Sequence, residues 1–508
     1  MKYARGSITV FLSLTIVMIA SLIFTLLESA RLHGLEAQSD MEGELLIESK
    51  MAAYQEELYE KYHLYFLEAG QEGIFSLAGI ESDMSQEGMD NLTSEALSFY
   101  RMHLTEAVVT GYELATDASG VAFMQQAADY MKQNLLVAGV EELYQYATQT
   151  EQMVDDTGDV AEKMETAEIE LERAQQENAS VKPAEGETEA AKGKQEAPDT
   201  TENKVSQAEI DKAAQMDNPL DYAKNLKNKA ILSLVVEDIN TVSGLSMEKD
   251  DSLMARTCQQ GNYGESDSLN MSDTMFFKEY LLREFGNYTS GQEDTALQYE
   301  LEYLIAGKYS DEENLTTVVE RLVGIREVVN YLYLRADPEK YALSYTMALA
   351  IAGISVNPLI IAAVREGILA AWAFTESVED VKTLLAGGKI SLIKSKADWN
   401  LDVENLSESF EESEGTSPSE SGLSYEDYLR ILLYMTGKDK LSIRALDLIE
   451  KNVRLESGES LLRMDYMISS IRTSYVYEAE PLFFGLFLSG EGWNGSYQFQ
   501  VAKEFRYA

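Results

Sequence analysis

Residues 8–27 read ITVFLSLTIVMIASLIFTLL, a run that begins at Ile8, ends at Leu27 and contains no charged side chain. As a helix at about 1.5 Å per residue, such a run covers about 30 Å, the thickness of a bilayer's hydrocarbon core. A secretory signal has a shorter apolar stretch, about 7–15 residues, closed by a small-x-small cleavage site. Here Glu28-Ser29-Ala30-Arg31 follows directly and the helical pattern continues. The run therefore reads as a retained transmembrane helix over 7–27. Lys2 and Arg5 are the only charges ahead of Glu28. By the positive-inside rule they keep the amino terminus cytoplasmic and place everything after Leu27 outside. The expected localisation is the cell membrane, single-pass, with the lipid bilayer as first partner.

The chain as a whole is strongly acidic. It has 41 Lys+Arg against 87 Asp+Glu, a formal charge of −46. That balance repels phosphate backbones, so no nucleic-acid partner is expected. The single cysteine, Cys258, permits neither an internal disulfide nor a cysteine-based metal site. Apolar residues at 45% are enough to build packed cores.

Working outward from the span, residues 1–6 form a short basic leader and 28–176 a helical stalk with a first extracellular region. Glu36, Asp40, Glu44 and Glu48 recur every four residues on a face expected to meet water or basic partners. Leu35, Leu45, Met51, Leu58, Tyr62 and Tyr65 are expected as its apolar contacts. Residues 104–114 read as a strand, and a helix is expected from Val121 to beyond Tyr146. Residues 177–206 lack aromatics and nearly lack large hydrophobes, and 402–422 are acidic and serine-rich; both read as loops. Between them, 207–401 is the main folded body. Ser310 and Glu313 have capping-box spacing ahead of an apolar stripe. Residues 345–364 are uncharged and can be read as a second span, but Asn357-Pro358 breaks their middle, which favours two core helices. Within 423–508, two helices are followed by 464–478, helical or extended, and a terminal hairpin over 482–488 and 497–507. The fold class expected is α+β, helix-dominant: one transmembrane helix continuing into a stalk, with a mixed extracellular body.

Gly6 directly before an apolar helix resembles the class III leader of type IV pilin-like proteins. That resemblance implies a prepilin peptidase cutting between Gly6 and Ser7 and leaving the helix in place. Phe11 stands at the fifth mature position, where pilins usually carry Glu. Glu28 and Arg31 close the run as Glu-x-x-Arg, similar to the end of the membrane helix in Tad-type pseudopilins. Further on stand Tyr299-Glu300-Leu301-Glu302-Tyr303-Leu304-Ile305-Ala306-Gly307-Lys308, Asn314, Ile325-Arg326, Gly387-Gly388-Lys389-Ile390, Lys394-Ser395, Asp398-Trp399 and Tyr425-Glu426-Asp427-Tyr428-Leu429. With the amino terminus, these resemble an uncharacterised family of single-span surface proteins of Gram-positive anaerobes, often encoded beside Tad-type pilus genes. The resemblance implies other pilus or cell-envelope proteins as partners. It carries no activity.

The residues themselves show no catalytic constellation. His33, His63 and His103 lack ligand spacing. Gly387-Gly388-Lys389 lacks the upstream glycine of a phosphate loop, and Ile390 stands where Ser/Thr is needed. The acidic run at 155–159 lacks the order and terminal Glu of an EF-hand. No catalytic, cofactor-binding or metal residue is expected. The leading expectation is a non-enzymatic, membrane-anchored structural or interaction protein, pseudopilin-like or accessory to a Tad-type pilus or secretion apparatus. The alternatives are a tethered surface enzyme of the cell-wall hydrolase type and a surface sensor or adhesin outside any filament.

Overall fold

A computed structural model describes residues 4–71, 73–92, 99–134, 140–157, 159–180, 205–263, 269–292, 294–353, 357–412, 422–458, 461–483 and 495–507. The chain is helix-dominant with an antiparallel sheet, and it divides into two compact units. One comprises Met1–Leu135, Lys249–Tyr280 and Lys438–Ala508; the other comprises Leu136–Glu248 and Leu281–Gly437. The units interleave along the chain, unlike the consecutive segments read from composition.

The first unit is built on an unbroken helix, Ala4–Met51. Its second half buries Leu35, Ser39, Glu42, Leu46, Ile47 and Met51. That spacing of three to four residues gives one core-facing stripe. Leu45 was expected among the contacts but faces solvent, being off the stripe. The stripe packs on a sheet whose central strand, Met467–Ala479, pairs antiparallel with Met102–Leu114 on one edge. On the other edge it pairs with Tyr497–Arg506 and, at its start, with Leu67–Glu68. The terminal strand is present, but its hairpin partner is 467–479. Pro481, Leu482 and Phe483 are not in a strand, and 484–488 lie outside the described residues. Of the long helix expected from Val121, Val121–Asn134 and Val140–Thr157 are helical, and 135–139 lie outside the described residues. Of the acidic face, Asp40 and Glu44 find their basic partner within the chain: Lys503 Nζ lies 3.0 Å and 2.6 Å from them.

The second unit centres on two long helices, Asp311–Ala336 and Pro358–Leu385, with Ala161–Ser180, Pro338–Ala352 and Tyr425–Met435 among those packed around. Ser310 Oγ accepts from Glu313 N at 3.4 Å. Asn357 Oδ1 accepts from Leu359 N at 3.0 Å, with Pro358 preset for the first turn. Residues 345–364 thus contribute to two helices broken before Pro358. The helix Pro358–Leu385 is long and apolar enough to cross a membrane, yet 67% of its apolar window is buried, as in a core helix. Two stretches read as loops are partly helical. Ala161–Ser180 extends into the first, and Leu406–Glu412 lies within the second, where Val403 and Leu406 are fully buried and hold the acidic segment down. Residues 181–204 and 413–421 lie outside the described residues.

Candidate functional site

The amino-terminal helix changes character at Glu28. Before it, apolar side chains face outward around the whole circumference: Phe11 is 72% exposed, Met18 73% and Leu14 63%. The hydroxyls of Ser13, Thr15, Ser21 and Thr25 donate to backbone carbonyls of Val10, Phe11, Met18 and Ser21 at 2.7–2.9 Å. These four polar groups need no water, which suits a lipid environment. The helix is long and apolar enough to cross a membrane, a test that a signal sequence near an amino terminus also passes. Gly6 and Ser7 lie in its first turns.

At Glu28 and Arg31 burial begins. Both side chains are fully enclosed and paired at 3.0 Å. Arg31 also donates to the carbonyls of Phe99, at 3.1 Å, and Tyr100. Glu28 accepts from the backbone amides of Phe483, at 2.9 Å, and Leu482, at 3.4 Å. Phe24 stacks on Phe483 with centroids 5.7 Å apart, and Phe99 lies against both Phe483 and Tyr100. The Tyr100 ring passes so close that a Cβ at Gly34 would fall 2.7 Å from it. Two segments distant in sequence are thereby tied around the helix where its apolar run ends. The end of the uncharged run and the pseudopilin resemblance singled out Glu28 and Arg31; nothing in the sequence pointed to Phe99, Tyr100 or Phe483.

In the second unit the quoted motifs supply two buried polar clusters. In the first, Arg326 Nε donates to Asp380 Oδ2 at 2.9 Å, and its Nη1 donates to the carbonyls of Ser391 and Leu392 and to Tyr428 Oη at 2.7–3.0 Å. Asn330 Nδ2 reaches Ser377 Oγ and Asp380 Oδ2. Lys394 pairs with Glu376 and lies 2.6 Å from Asp380 Oδ1. Glu376 further accepts from the amides of Asn400 and Leu401. Two cations thus meet two carboxylates. Burial pushes Glu376 up against the pull of Lys394. Burial also works against the charge of Asp380, yet Arg326 and Lys394 hold it below the usual carboxylate range. Every charged member has a partner, so the cluster reads as scaffold rather than chemistry.

In the second cluster, Glu302 is fully buried. Its Oε1 accepts from Tyr288 N at 2.9 Å and from Tyr425 Oη at 2.7 Å, while Oε2 has no hydrogen-bond partner. Burial outweighs those bonds and pushes its pKa from the usual 4.5 up to about 7. The folded state then takes up this proton at higher pH than the unfolded chain. Its contribution is fully present below pH 4.5 and is lost as pH rises through about 7, amounting to about 3 kcal/mol across the window. Glu302→Gln mimics the protonated form. Urea midpoints followed at pH 5 and pH 8 are expected to show a shallower loss in the variant than in the native chain; parallel pH profiles contradict this account.

Other sequence candidates are placed as follows. His33 and His103 are exposed, and His63 stacks on Tyr130 at 4.3 Å. Gly387 and Gly388 terminate the helix Pro358–Leu385, with Gly387 at φ 86° and Gly388 N donating to Thr383 O. A phosphate loop leads into a helix, so the geometry there is reversed. Asp159 Oδ1 caps the helix Ala161–Ser180 through Ala161 N. Burial pushes the Cys258 thiol up, with Asp465 adding to it, away from a reactive thiolate. Among the described residues, no group of three or more His, Cys, Asp or Glu is placed to hold a metal.

No curated protein and no solved structure matches the chain. A family model does match, over residues 209–479, and its description is a family of unknown function. That stretch holds both buried clusters and most of the quoted motifs. On this match, covering more than half of its length, the chain belongs to the family of unknown function DUF5702.

Proposed function

We propose that this protein is a non-catalytic, membrane-anchored surface protein. The apolar first half of its first helix lies in the bilayer with Lys2 and Arg5 on the cytoplasmic side, and the chain beyond Leu27 stands outside for contact with other envelope proteins. One observation carries the reading. A single helix is bare and apolar for its first half and packed on its own sheet for its second, with the buried Glu28–Arg31 pair at the change. A bare helix of that length requires lipid or like helices around it. Lateral packing of like helices is what a pseudopilin-like or accessory component of a Tad-type pilus or secretion apparatus needs, and the Gly6-Ser7 leader supports that finer reading.

Mass spectrometry of the mature amino terminus tests it. Removal of residues 1–6, leaving Ser7 first, is the expected result. Met1 retained removes the pseudopilin form of the proposal, and a cut after Ala30 removes the anchor itself.

A further inference from the structure

The helix Asp311–Ala336 carries Arg326 into the buried ionic cluster, and the next residue, Glu327, turns to a different environment. Glu327 is 8% exposed, and its Oε1 is buried with no hydrogen-bond partner. An unpartnered buried carboxyl is costly, and native folds satisfy nearly all such groups. Glu327 lines a concave pocket of about 520 Å³, within the range of small-molecule sites. Its apolar wall includes Leu226, Ile231, Val323 and Phe374. Gly324, one turn before Glu327, opens onto empty space: a Cβ there meets nothing within 4 Å. A mid-helix glycine costs about 0.5–1 kcal/mol relative to alanine, and here it keeps the pocket wide.

The charge around the pocket favours a cation. Glu312 and Glu320 lie on its wall with Glu327, against Lys227 and Lys229. Lys227 Nζ sits 4.8 Å from the centre of the Phe374 ring, so the pocket already accommodates an ammonium on that aromatic face. Burial raises the Glu327 pKa to about 7, opposed by Lys227 and aided by Asp159; an incoming cation at the carboxyl reverses that penalty.

The geometry points to a binding site for a small organic ammonium ion, its apolar body against Phe374, Leu226 and Val323 and its N–H groups donating to the Glu327 carboxylate. This site is independent of the anchor and lies wholly within the second unit.

The test uses the full chain in detergent micelles with para-fluorophenethylamine as probe, followed by fluorine NMR line broadening. The neutral para-fluorophenethyl alcohol and the anionic para-fluorohydrocinnamate serve as comparisons. The amine is expected to bind, the alcohol and the carboxylate about ten-fold more weakly or worse. Glu327→Gln, which keeps size and removes charge, and Gly324→Leu, which fills the space, are each expected to weaken the amine by about ten-fold. Failure of the native chain to bind the amine overturns the site. Equal binding of the alcohol or the carboxylate overturns its preference for a cation, and unchanged amine binding by Glu327→Gln overturns the role of that carboxylate whether or not the leucine variant folds.

Discussion

Arg326→Met is expected to destabilise the second unit by about 3–5 kcal/mol, the usual cost of breaking a buried ion pair from one side. The guanidinium is fully buried and serves Asp380, the carbonyls of Ser391 and Leu392, and Tyr428. Methionine fills similar volume but leaves Lys394 alone with two buried carboxylates, and it strands two carbonyls. Adding Asp380→Asn removes the uncompensated charge, so the double variant is expected to lose less than the two single losses combined. Trp372 and Trp399 report on this unit, and a Trp493→Phe background confines the signal to them. A urea midpoint unchanged by Arg326→Met contradicts a structural role for the cluster.

A comparable loss, about 3–5 kcal/mol, is expected in the first unit for Glu28→Ala. Removing the carboxylate leaves the Arg31 guanidinium buried with two carbonyls as partners and withdraws the acceptor from the amides of Leu482 and Phe483. Glu44→Ala is the fitting control on the same helix. It breaks an ion pair whose carboxylate is 56% exposed, and pairs of that kind contribute about 0–1 kcal/mol. Denaturant unfolding of both variants in micelles separates the cases; equal small losses contradict the view that Glu28 and Arg31 lock the helix to the body.

Legibility in the sequence followed the physics of each element. The first helix was readable because twenty uncharged residues and two flanking cations leave few alternatives. Strand 102–114 was readable from its β-branched residues. Its partner, 467–479, was not, because a central strand buries residues on both faces. Ser469, Ser470 and Thr473 look like surface positions, but all three are buried and their hydroxyls donate to the carbonyls of Glu113, Phe505 and Lys503. The interleaved units were hidden for a related reason: they depend on pairings such as Val108 with Ser474, hundreds of residues apart. The carboxylates that matter most, Glu302, Glu327, Glu376 and Asp380, sit among 87 acidic residues, and spacing does not separate a buried one from a solvated one. Gly324 was equally silent, since an open helix face is a property of its neighbours.

The central claim is that the bare half of the first helix resides in lipid. Fractionation of cells producing the full chain, followed by an alkaline wash of the membranes, tests it most directly. The account predicts that the protein stays with the washed membrane pellet. Recovery of the intact chain in the soluble fraction contradicts it.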